Sequence, residues 1–560
     1  MHVLLDDQVT HRQRLFTDPQ DVITLRAGED VERFFARVEA AHAAGFWLAG
    51  MFAYEFGAAL EAKLAGLAEE GDVLARLGVF GAPSDHPPAT VLYRAAPPAV
   101  SLSPVWSEAE YVERFRTVQS YLRAGDAYQV NLTFPMRGTT DGDATALYAG
   151  YRRRQPGHYG AVVSLGGPDV VSFSPELFFE RRGEDMRMRP MKGTRAVGAE
   201  DDMREDAKSR AENLMIVDLL RNDLSRLCEP GSVRVPELFA LEDYPTLTQM
   251  TSEVTGTLRE GARWADIFRA LFPCGSVTGA PKIRAMEIIH ELEAGPRGAY
   301  CGSIGFIAPN GDAAFSVAIR TAVLDGGELR YDVGSGVVLD SDGSDEYREC
   351  LLKASLLETK PERAIETMRW EPGQGIVRAK RHFNRFYAAR PNGSIRRAVD
   401  GVASDTVSRI RVTAAEDGVT SVGVLPLEHL SEPIPVALSR YALSDAVQTT
   451  RFKTSFRDFY DGERARVNAA CDAAEVLFAG EDCLMREGSF TSLFVQRGRR
   501  LLTPSGPGLL PGVLRAELLD NGVAVETELT WVDVLSADAV FVGNSLRGLM
   551  RARVTSESPV

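Results

Sequence analysis

The sequence predicts an α+β protein, because stretches with helical periodicity alternate with strand-like runs from the first hundred residues onward. Asp30–Ala44 places apolar side chains at helical spacing, whereas the unbroken apolar run Phe46–Tyr54 has the length of a buried strand. Ser107–Ala124 is predicted to be a helix with a capping box at its start. Gly125 ends that helix, and the stretch Gly125–Leu132 then enters a strand.

Length and composition limit the classes of protein to consider. With 560 residues, 44% apolar and 25% charged, the chain has the composition of a globular protein of more than one domain. It has no apolar run of transmembrane length and no leader-like start, so we expect a cytoplasmic protein without a membrane partner. The net charge of −15 argues against nucleic acid as a partner. Six cysteines without a C-x-x-C spacing indicate neither a disulfide scaffold nor a zinc site.

Two domains are predicted, over residues 1–358 and 363–560. Thr359-Lys360-Pro361 interrupts a helical stretch, and strand-like sequence begins again at Ile365. About 200 residues lie beyond this break, which is enough for an independent domain. Within the first domain, the proline-containing stretch Ala95–Pro104 is predicted to be a connector.

A hairpin in the first domain is predicted to bring an acid and an amine together. Val171–Arg181 and Met186–Met191 have strand-like composition on either side of a turn centred on Glu184. Glu176 and Lys192 are equally distant from that turn. Because residues equidistant from a turn tend to face each other across a hairpin, we expect both side chains at one site.

Three acids of the first domain are candidates for an ion pair or a metal site. Glu212 shares a predicted helical face with apolar residues, which either a salt bridge or a metal ion would explain. Glu346 and Glu349 lie about one turn apart on another predicted helix. Glu349 also has Lys353 four residues on, an ordinary ion-pair partner. On the residues alone, these alternatives stay open.

Two basic residues are candidate anion ligands. Lys282 lies in the first turn of a helix after the glycine loop Gly275–Gly279, a pattern that binds anions but also starts ordinary helices. Arg320 ends a face of small residues on a predicted strand, Ala313–Val323, where either a carboxylate or a packed helix fits. Further along, Gly334-Ser335-Gly336 offers backbone N–H groups.

Seven stretches in a fixed order resemble those of the chorismate-utilising enzymes. They are G-D-A-Y-Q-V-N-L, S-P-E, P-M-K-G-T-R, A-E-N-L-M-I-V-D-L-L-R-N-D-L, G-S-V-T-G-A-P-K-I-R-A-M, A-I-R-T and D-E-Y-R-E, between Ser107 and Lys353. The resemblance implies an α/β sandwich around two antiparallel sheets. Anthranilate synthases have alanine at the position of Lys192, so this lysine is typical of the aminodeoxychorismate synthase branch.

The same resemblance implies roles for individual residues. Lys192 would attack C2 of chorismate while Glu176 protonates the departing C4 hydroxyl, after which ammonia adds at C4. Mg²⁺ held by Glu212 and Glu349, with Glu346 close by, would bind the ring carboxylate. The other substrate-binding positions implied are Arg320, Lys282, Thr194, Gly334 and Gly336.

Five stretches beyond residue 380 resemble a second family. They are R-H-F-N-R-F, F-K-T-S-F-R-D-F-Y, R-E-G-S-F-T-S-L-F-V, L-L-P-G-V-L-R and G-N-S-L-R-G. In this order they are similar to the branched-chain aminotransferase and aminodeoxychorismate lyase family, fold type IV of the enzymes that use pyridoxal 5'-phosphate. The resemblance implies that Lys453 would carry this cofactor and that Glu487 would pair with its pyridine nitrogen. The phosphate would be held by Arg385, the backbone after Gly512, Asn544 and Ser545.

Together the two resemblances imply consecutive reactions. The first domain would convert chorismate to 4-amino-4-deoxychorismate, and the second would expel pyruvate from it to leave 4-aminobenzoate, a folate precursor. No glutaminase motif is visible, so we expect a separate glutamine amidotransferase subunit to supply ammonia. The second fold often dimerises, which favours a homodimer. The alternatives are an anthranilate synthase component fused to an aminotransferase, and a non-catalytic second domain used for docking.

Overall fold

The computed structural model describes the chain except for residues 95–96, 153–157, 197–206, 244–246, 294, 358–362, 391–393, 416–417, 445–452, 507 and 557. For residues 192–196, 207–209, 242–243, 247–249 and 420 it describes the backbone alone. The chain divides into two compact units. The first unit is Met1–Pro87 with Pro98–Glu358, and the second unit is Pro88–Pro97 with Thr359–Val560. None of the described helices combines the length and the apolar composition needed to pass through a lipid bilayer.

The described helices are distributed over both units. In chain order they are α1 Val31–Ala43, α2 Phe56–Leu60, α3 Ala89–Leu92, α4 Glu108–Ala124, α5 Ala144–Tyr151, α6 Ala207–Ser225, α7 Trp264–Leu271, α8 Lys282–Leu292, α9 Gly343–Ala354, α10 Ala379–Ala389, α11 Ile395–Val399, α12 Asp458–Cys471, α13 Val513–Asp520 and α14 Trp531–Leu535. Short 3₁₀ turns lie at Ala62–Leu64, Gly275–Val277 and Ser355–Leu357.

The strands of the first unit are β1 to β19. They are β1 His2–Asp7, β2 Arg12–Thr17, β3 Asp21–Arg26, β4 Trp47–Phe52, β5 Val73–Phe80, β6 Val100–Pro104, β7 Gln129–Thr140, β8 Tyr159–Ser164, β9 Asp169–Ser174, β10 Leu177–Arg182, β11 Asp185–Arg189, β12 Met191–Ala196, β13 Arg234–Asp243, β14 Leu247–Thr257, β15 Gly279–Ala280, β16 Ser303–Ile307, β17 Ala313–Val317, β18 Thr321–Asp325 and β19 Glu328–Val337.

Two antiparallel sheets in the first unit share one core. One sheet has the order β15-β7-β19-β18-β9-β8-β1-β2, with β6 on β7, and the other β12-β14-β11-β10-β17-β16-β4-β5-β3, with β13 on β14. Val3 and Val163 from one sheet pack in the same buried cluster as Ala49, Phe80 and Ile304 from the other. The predicted α+β sandwich is therefore confirmed.

Local sequence signals place the helix ends. Ser107 and Glu110 form the predicted capping box of α4, and Gly125 ends the helix with φ 81°, a conformation that suits glycine. Asp30 caps α1 by accepting from the N–H groups of Glu32 and Arg33. The predicted connector Ala95–Pro104 is partly a strand, since its last five residues form β6 beside β7.

Two stretches predicted as single strands are in fact divided between the two sheets. The chain leaves β9 at Ser174 and enters β10 of the other sheet at Leu177. It crosses back between Val317 and Thr321, where Arg320 has a φ of +54°. Alternation alone could not show these breaks, because the residues on both sides of each crossing are buried and keep a strand-like composition.

The predicted hairpin exists, but its register differs from the prediction. β10 and β11 pair around the turn only as far as Leu177 opposite Arg189. Pro190 follows, and its carbonyl accepts from the N–H of Ser252. Since proline has no N–H to continue the ladder, the pairing with β10 ends here. β14, which already pairs with β11 on the side away from β10, continues along β12, and Lys192 pairs with Met250 of β14. Equal distance from the turn was therefore a wrong argument for bringing Glu176 and Lys192 together.

The second unit contains two smaller sheets. Its strands are β20 Ala364–Glu371, β21 Gly375–Ile376, β22 Ser408–Ala415, β23 Gly418–Pro426, β24 Ile434–Leu438, β25 Glu475–Ala479, β26 Met485–Gly488, β27 Ser492–Arg497, β28 Arg500–Pro504, β29 Ala524–Thr527, β30 Ala539–Asn544 and β31 Gly548–Val554. One sheet has the order β21-β20-β22-β23 and is antiparallel. The other has the order β26-β25-β24-β31-β30-β27-β28-β29 and is mixed.

A segment from early in the sequence completes the second unit. Pro88–Pro97, which includes α3, clusters with residues 359–560. The ring of Tyr93, which is 3% exposed, packs edge-on against Phe459 at 5.1 Å and against Tyr441 at 6.2 Å. We call Pro88–Pro97 the strap.

Candidate active sites

In the first unit, the two crossings between the sheets lie side by side and bring together two predicted site residues. Glu176 lies in the first crossing, where its backbone carbonyl accepts from the N–H of Val317 at 3.0 Å. Arg320 lies in the second crossing, and its carbonyl accepts from the N–H of Phe173 at 3.0 Å. Glu176 and Arg320 are thus fixed next to each other in the backbone, although they are distant in sequence.

The Glu176 carboxyl group faces a serine that sequence reasoning did not select. Ser276, in the glycine loop, donates its hydroxyl to Oε1 of Glu176 at 2.7 Å, and Glu176 is 4% exposed. This contact ties the first crossing to the loop before α8. A buried carboxyl group oriented by a hydroxyl is suited to exchanging a proton with a substrate.

The guanidinium group of Arg320 is available for an anion. Burial lowers its pKa, and Tyr331, Tyr300 and Glu349 partly oppose that effect. Within the described residues, no hydrogen bond or ion pair holds this guanidinium. Beside it, β18 pairs with β19 only up to Tyr331, so among the described strands the segment Gly334–Gly336 has a neighbour on the β7 side alone.

The metal site at Glu212, Glu346 and Glu349 stays a prediction, and the structure shows Glu349 in contact with a lysine. Glu349 pairs with Lys353 at 2.7 Å, the ordinary alternative considered from the sequence. Lys353 also donates to the carbonyl of Gly334 at 2.8 Å. No three His, Cys, Asp or Glu side chains of the described chain are grouped so that they could hold a metal, and that includes Glu212 and Glu346.

Lys282 is engaged by the protein rather than turned to an open anion site. Its ammonium group lies 2.8 Å from Oδ2 of Asp223 and 2.9 Å from the carbonyl oxygen of Leu271. Asp223 is 3% exposed, and burial raises the pKa of its carboxyl group although Lys282 opposes the shift. The pair joins α8 to α6. The side chains of Lys192 and Thr194 lie outside the described part of the chain.

In the second unit, residues from separate segments line one cavity of about 360 Å³. All of the residues predicted to bind the cofactor are in its wall. They are Lys453, Glu487, Arg385, Gly512, Asn544 and Ser545. The lining segments come from both sheets and from the three helices α10, α12 and α13, so the fold brings together residues that are distant in the sequence.

Lys453 lines the cavity beside the first residues of β20. Its carbonyl accepts from the N–H of Ile365 at 2.7 Å, which fixes the backbone there. Burial lowers the pKa of the Lys453 amine to about 7, with Arg457 and Arg385 acting in the same direction. A substantial fraction of the amine is therefore neutral at neutral pH, as a nucleophilic lysine requires.

Glu487 lies in β26 and lines the same cavity. Tyr460 of α12 donates to its Oε1 at 2.5 Å, and the N–H of Leu510 donates to Oε2 at 3.2 Å. Burial raises the pKa of Glu487 to about 7, although Tyr460 and Leu510 oppose the shift. A carboxyl group of this pKa can share a proton with a ring nitrogen.

The predicted phosphate ligands are embedded in further hydrogen bonds. Arg385 pairs with buried Glu366 and also donates to the carbonyl of Pro511 at 3.0 Å. Asn544 accepts at 3.0 Å from the N–H groups of Leu546 and Arg547, and so closes the turn before β31. Gly512 caps the start of α13, whose first turn also lines the cavity.

Sequence reasoning missed a group of arginines in the same wall. Arg409, Arg411 and Arg547 line the cavity, and no hydrogen bond or ion pair joins their guanidinium groups to other described residues. The Nε atom of Arg547 is buried without a partner in that part of the chain. Burial lowers the pKa of Arg411 and of Arg547, and Arg409 lowers both further. The R-x-R spacing in β22 was the available signal, since it puts two arginines on one face of a strand.

Comparison with known proteins agrees with both resemblances. Residues 82–359 match the family model described as chorismate binding enzyme. Residues 394–554 match the model described as amino-transferase class IV.

Curated relatives are similar to somewhat less than half of this chain. Aminodeoxychorismate synthase component 1 of Klebsiella aerogenes is 45% identical over 257 residues, which are 44% of this chain and 57% of that protein. Anthranilate synthase component 1 of Streptomyces coelicolor is 40% identical over 283 residues, which are 48% of this chain and 55% of that protein. The chain thus spans little more than half the length of these relatives.

A solved structure supports the fold of the first unit. Anthranilate synthase component I from Streptococcus pneumoniae superposes with a TM-score of 0.54 at 22% identity, over 64% of this chain and 92% of that one. The superposition covers nearly the whole of that protein. Residues 82–359 therefore form a chorismate binding enzyme domain, and residues 394–554 form a class IV aminotransferase domain.

Proposed function

We propose that this chain makes 4-aminobenzoate from chorismate in two consecutive reactions. The first unit aminates C4 of chorismate, and the second unit expels pyruvate from the 4-amino-4-deoxychorismate that results. The observation that carries the proposal is the cavity of the second unit, where a lysine with a pKa of about 7 and a buried glutamate line one wall downstream of a chorismate binding domain.

The first reaction exchanges the C4 hydroxyl for an amine. The Lys192 amine adds at C2 as the ring double bonds shift, and the C4 hydroxyl leaves as water after taking a proton from Glu176. Ammonia then adds at C4, and the lysine leaves from C2 with its electron pair. The hydrogen bond from Ser276 supports the role of Glu176, because it holds the carboxyl group in one orientation inside a buried crossing.

Arg320 is proposed to hold the enolpyruvyl carboxylate of chorismate. It has a buried guanidinium group without a described partner, next to the open edge of β19 at Gly334–Gly336. A carboxylate would supply the missing charge and accept two parallel hydrogen bonds. We propose no substrate contact for Lys282 beyond the family resemblance, since Asp223 already neutralises it.

The second reaction depends on pyridoxal 5'-phosphate, which the class IV aminotransferase domain implies. When bound, the cofactor supplies an electron sink for the amine-bearing carbon of the substrate. Lys453 would hold the cofactor and would take the proton from C4 of the substrate, after which the enolpyruvyl group would leave as pyruvate and the ring would become aromatic. Glu487 would pair with the protonated ring nitrogen, while Arg385, Asn544, Ser545 and the start of α13 would hold the phosphate.

The charge of the cavity favours a substrate with more than one carboxylate. Arg409, Arg411 and Arg547 place three guanidinium groups without described partners in its wall. Like charges held together in a half-buried site repel one another until an anion enters. 4-Amino-4-deoxychorismate carries a ring carboxylate and an enolpyruvyl carboxylate, and both are present when it reaches this site.

Mg²⁺, an ammonia-supplying amidotransferase, a homodimer and a cytoplasmic location belong to the proposal through family resemblance. A Mg²⁺ site at Glu212, Glu346 and Glu349 would need the Glu349–Lys353 pair to open. We derive no step through the metal. If Glu349 is a ligand, Glu349→Gln raises the Mg²⁺ concentration needed for half-maximal amination, whereas Asp345→Asn on the exposed side of α9 leaves it unchanged.

Product analysis tests the proposal. The full-length chain is supplied with chorismate, ammonia, Mg²⁺ and pyridoxal 5'-phosphate, and the products are separated chromatographically. We expect 4-aminobenzoate and pyruvate in equal amounts, and accumulation of 4-amino-4-deoxychorismate when the cofactor is withheld. Lys192→Ala should abolish both products. Anthranilate as the product would favour the alternative suggested by the Streptomyces coelicolor relative and would reject the assignment of Lys192.

A further inference from the structure

A buried chain of polar groups connects the proposed phosphate end of the cavity to a histidine behind its wall. His382 of α10 has 0% exposure. Its Nδ1 lies 2.5 Å from Oε1 of Glu366, and its Nε2 lies 2.7 Å from Oγ of Ser545. Glu366 also pairs with Arg385, and Arg385 and Ser545 both line the cavity. His382 is thus in contact with one proposed phosphate ligand and shares a carboxylate with the other.

The protonation state of His382 decides which way the Ser545 hydroxyl points. Arg385 and His382 hold the pKa of Glu366 below its ordinary value against the effect of burial, so the carboxylate is ionised and Nδ1 of His382 carries a proton. In neutral His382, Nε2 is then an acceptor, and Ser545 must donate its O–H to it. In protonated His382, Nε2 donates to Oγ of Ser545. The Ser545 hydroxyl hydrogen is then no longer used by His382 and can point into the cavity.

A phosphate dianion distinguishes these two states. Its oxygens are acceptors, so a serine can bind it only by donating the O–H. We propose that His382 and Ser545 form a proton-linked positioning pair, in which binding of a phosphate group in the cavity is accompanied by uptake of one proton by His382. This inference rests on the cofactor site proposed above. It adds that the affinity of this site for the phosphate group depends on the protonation of His382.

The charges around His382 agree with this linkage. Three charged groups act on His382: Glu366 of β20, Arg385 of α10 and Lys453 of the cavity wall. Burial lowers the pKa of His382, Glu366 opposes this, and Arg385 and Lys453 lower the pKa further. His382 is therefore neutral at pH 7.5 in the empty cavity, and a bound dianion favours its protonation. Affinity for the phosphate should fall as pH rises, by about tenfold per pH unit while a full proton is taken up.

The test compares two forms of the cofactor on the full-length chain freed of cofactor. Pyridoxal 5'-phosphate and pyridoxal, which lacks the phosphate, are titrated calorimetrically at pH 7.5 in two buffers of different ionisation enthalpy. Both react with Lys453, so the difference in proton uptake between them reports on the phosphate end. We expect an excess uptake approaching one proton with the phosphate form, absent in His382→Gln and in Ser545→Ala. Ser545→Ala should also weaken binding of the phosphate form by about tenfold, the order expected for one hydrogen bond to a charged group.

Each outcome decides the question. Equal uptake with the two forms, or an excess that persists in both variants, overturns the proton-linked pair even if the cofactor binds tightly. Failure of the wild-type chain to develop the visible absorbance of bound cofactor would refute the cofactor site and this inference together. Should His382→Gln fail to fold, Ser545→Ala decides alone, since it removes one hydroxyl from a site that a methyl group fits.

Discussion

The two candidate sites of this chain differ in how far their charged groups are already satisfied by the protein. In the second unit, the proposed ligands line one cavity, and three arginines there have no described partner. In the first unit, Lys282 pairs with Asp223 and Glu349 pairs with Lys353. On the proposed assignments, the second site keeps three arginines open for a ligand although Arg385 is paired with Glu366, whereas the first keeps Arg320 open and would exchange an internal pair of Lys282 or Glu349 for contacts with chorismate or metal.

The largest effect should come from Lys453→Ala. Loss of the only proposed attachment and proton-transfer group should remove the visible absorbance of bound cofactor and reduce pyruvate release by about 10³-fold or more. Amination of chorismate by the first unit should continue, so 4-amino-4-deoxychorismate accumulates. Lys380→Ala, at an exposed position of α10, is the matched control and should change neither measurement. Unreduced pyruvate release in Lys453→Ala would show that the preassembled cavity is not the lyase site.

Removing Asp223 tests whether Lys282 is structural. Asp223→Ala leaves a largely buried ammonium group without its carboxylate and should lower the free energy of unfolding by about 3–5 kcal/mol in urea denaturation. Adding Lys282→Met to this variant should restore much of the stability, because no unpaired charge then remains. Asp218→Ala, at an exposed position of the same helix, should cost about 0.5 kcal/mol or less.

The same double variant sharpens the comparison between the sites. If Lys282 is purely structural, the KM for chorismate stays close to that of the wild-type chain. A large rise in KM with stability restored would instead mean that Lys282 leaves Asp223 to bind substrate, as the family resemblance implies.

Tyr93→Ala should destabilise the second unit by about 3 kcal/mol, the order found when a buried aromatic ring is removed. The reason is the cavity left between the rings of Phe459 and Tyr441. Cofactor absorbance followed during thermal unfolding measures this unit selectively. Tyr128→Ala, whose ring is 69% exposed, serves as the control. An unchanged midpoint in Tyr93→Ala would show that the strap is dispensable.

The smallest predicted effect is a pH dependence of cofactor attachment. Because the pKa of Lys453 is lowered to about 7, the neutral amine is lost as pH falls below that value. The rate of attachment should decline by about tenfold per pH unit below pH 7 and level off above it. Stopped-flow absorbance with pyridoxal, which lacks a titrating phosphate, measures it. A rate still rising at pH 9 would indicate an ordinary exposed lysine.

How much could be predicted from the sequence also differs between the units. The order of motifs was enough to identify both folds, and local signals such as the Ser107 capping box were confirmed. The hairpin register and the crossings at Glu176 and Arg320 could not be predicted, because burial on both sides of a crossing keeps the apolar pattern unbroken. Ser276 and His382 lie inside two of the recognised motifs, but their contacts with Glu176 and Ser545 become visible only when distant segments meet.

The strap has a consequence for how the chain folds. Pro88–Pro97 is synthesised long before Tyr441 and Phe459, yet it belongs with them. The contacts of Tyr93 with Tyr441 and Phe459 therefore form only when a very long loop closes. The entropy of closing such a loop grows only with the logarithm of its length, so equilibrium stability suffers little while the folding rate is reduced. A ribosome-bound nascent chain should accordingly leave the aromatic pocket of Tyr441 and Phe459 among the last parts of the protein to be filled.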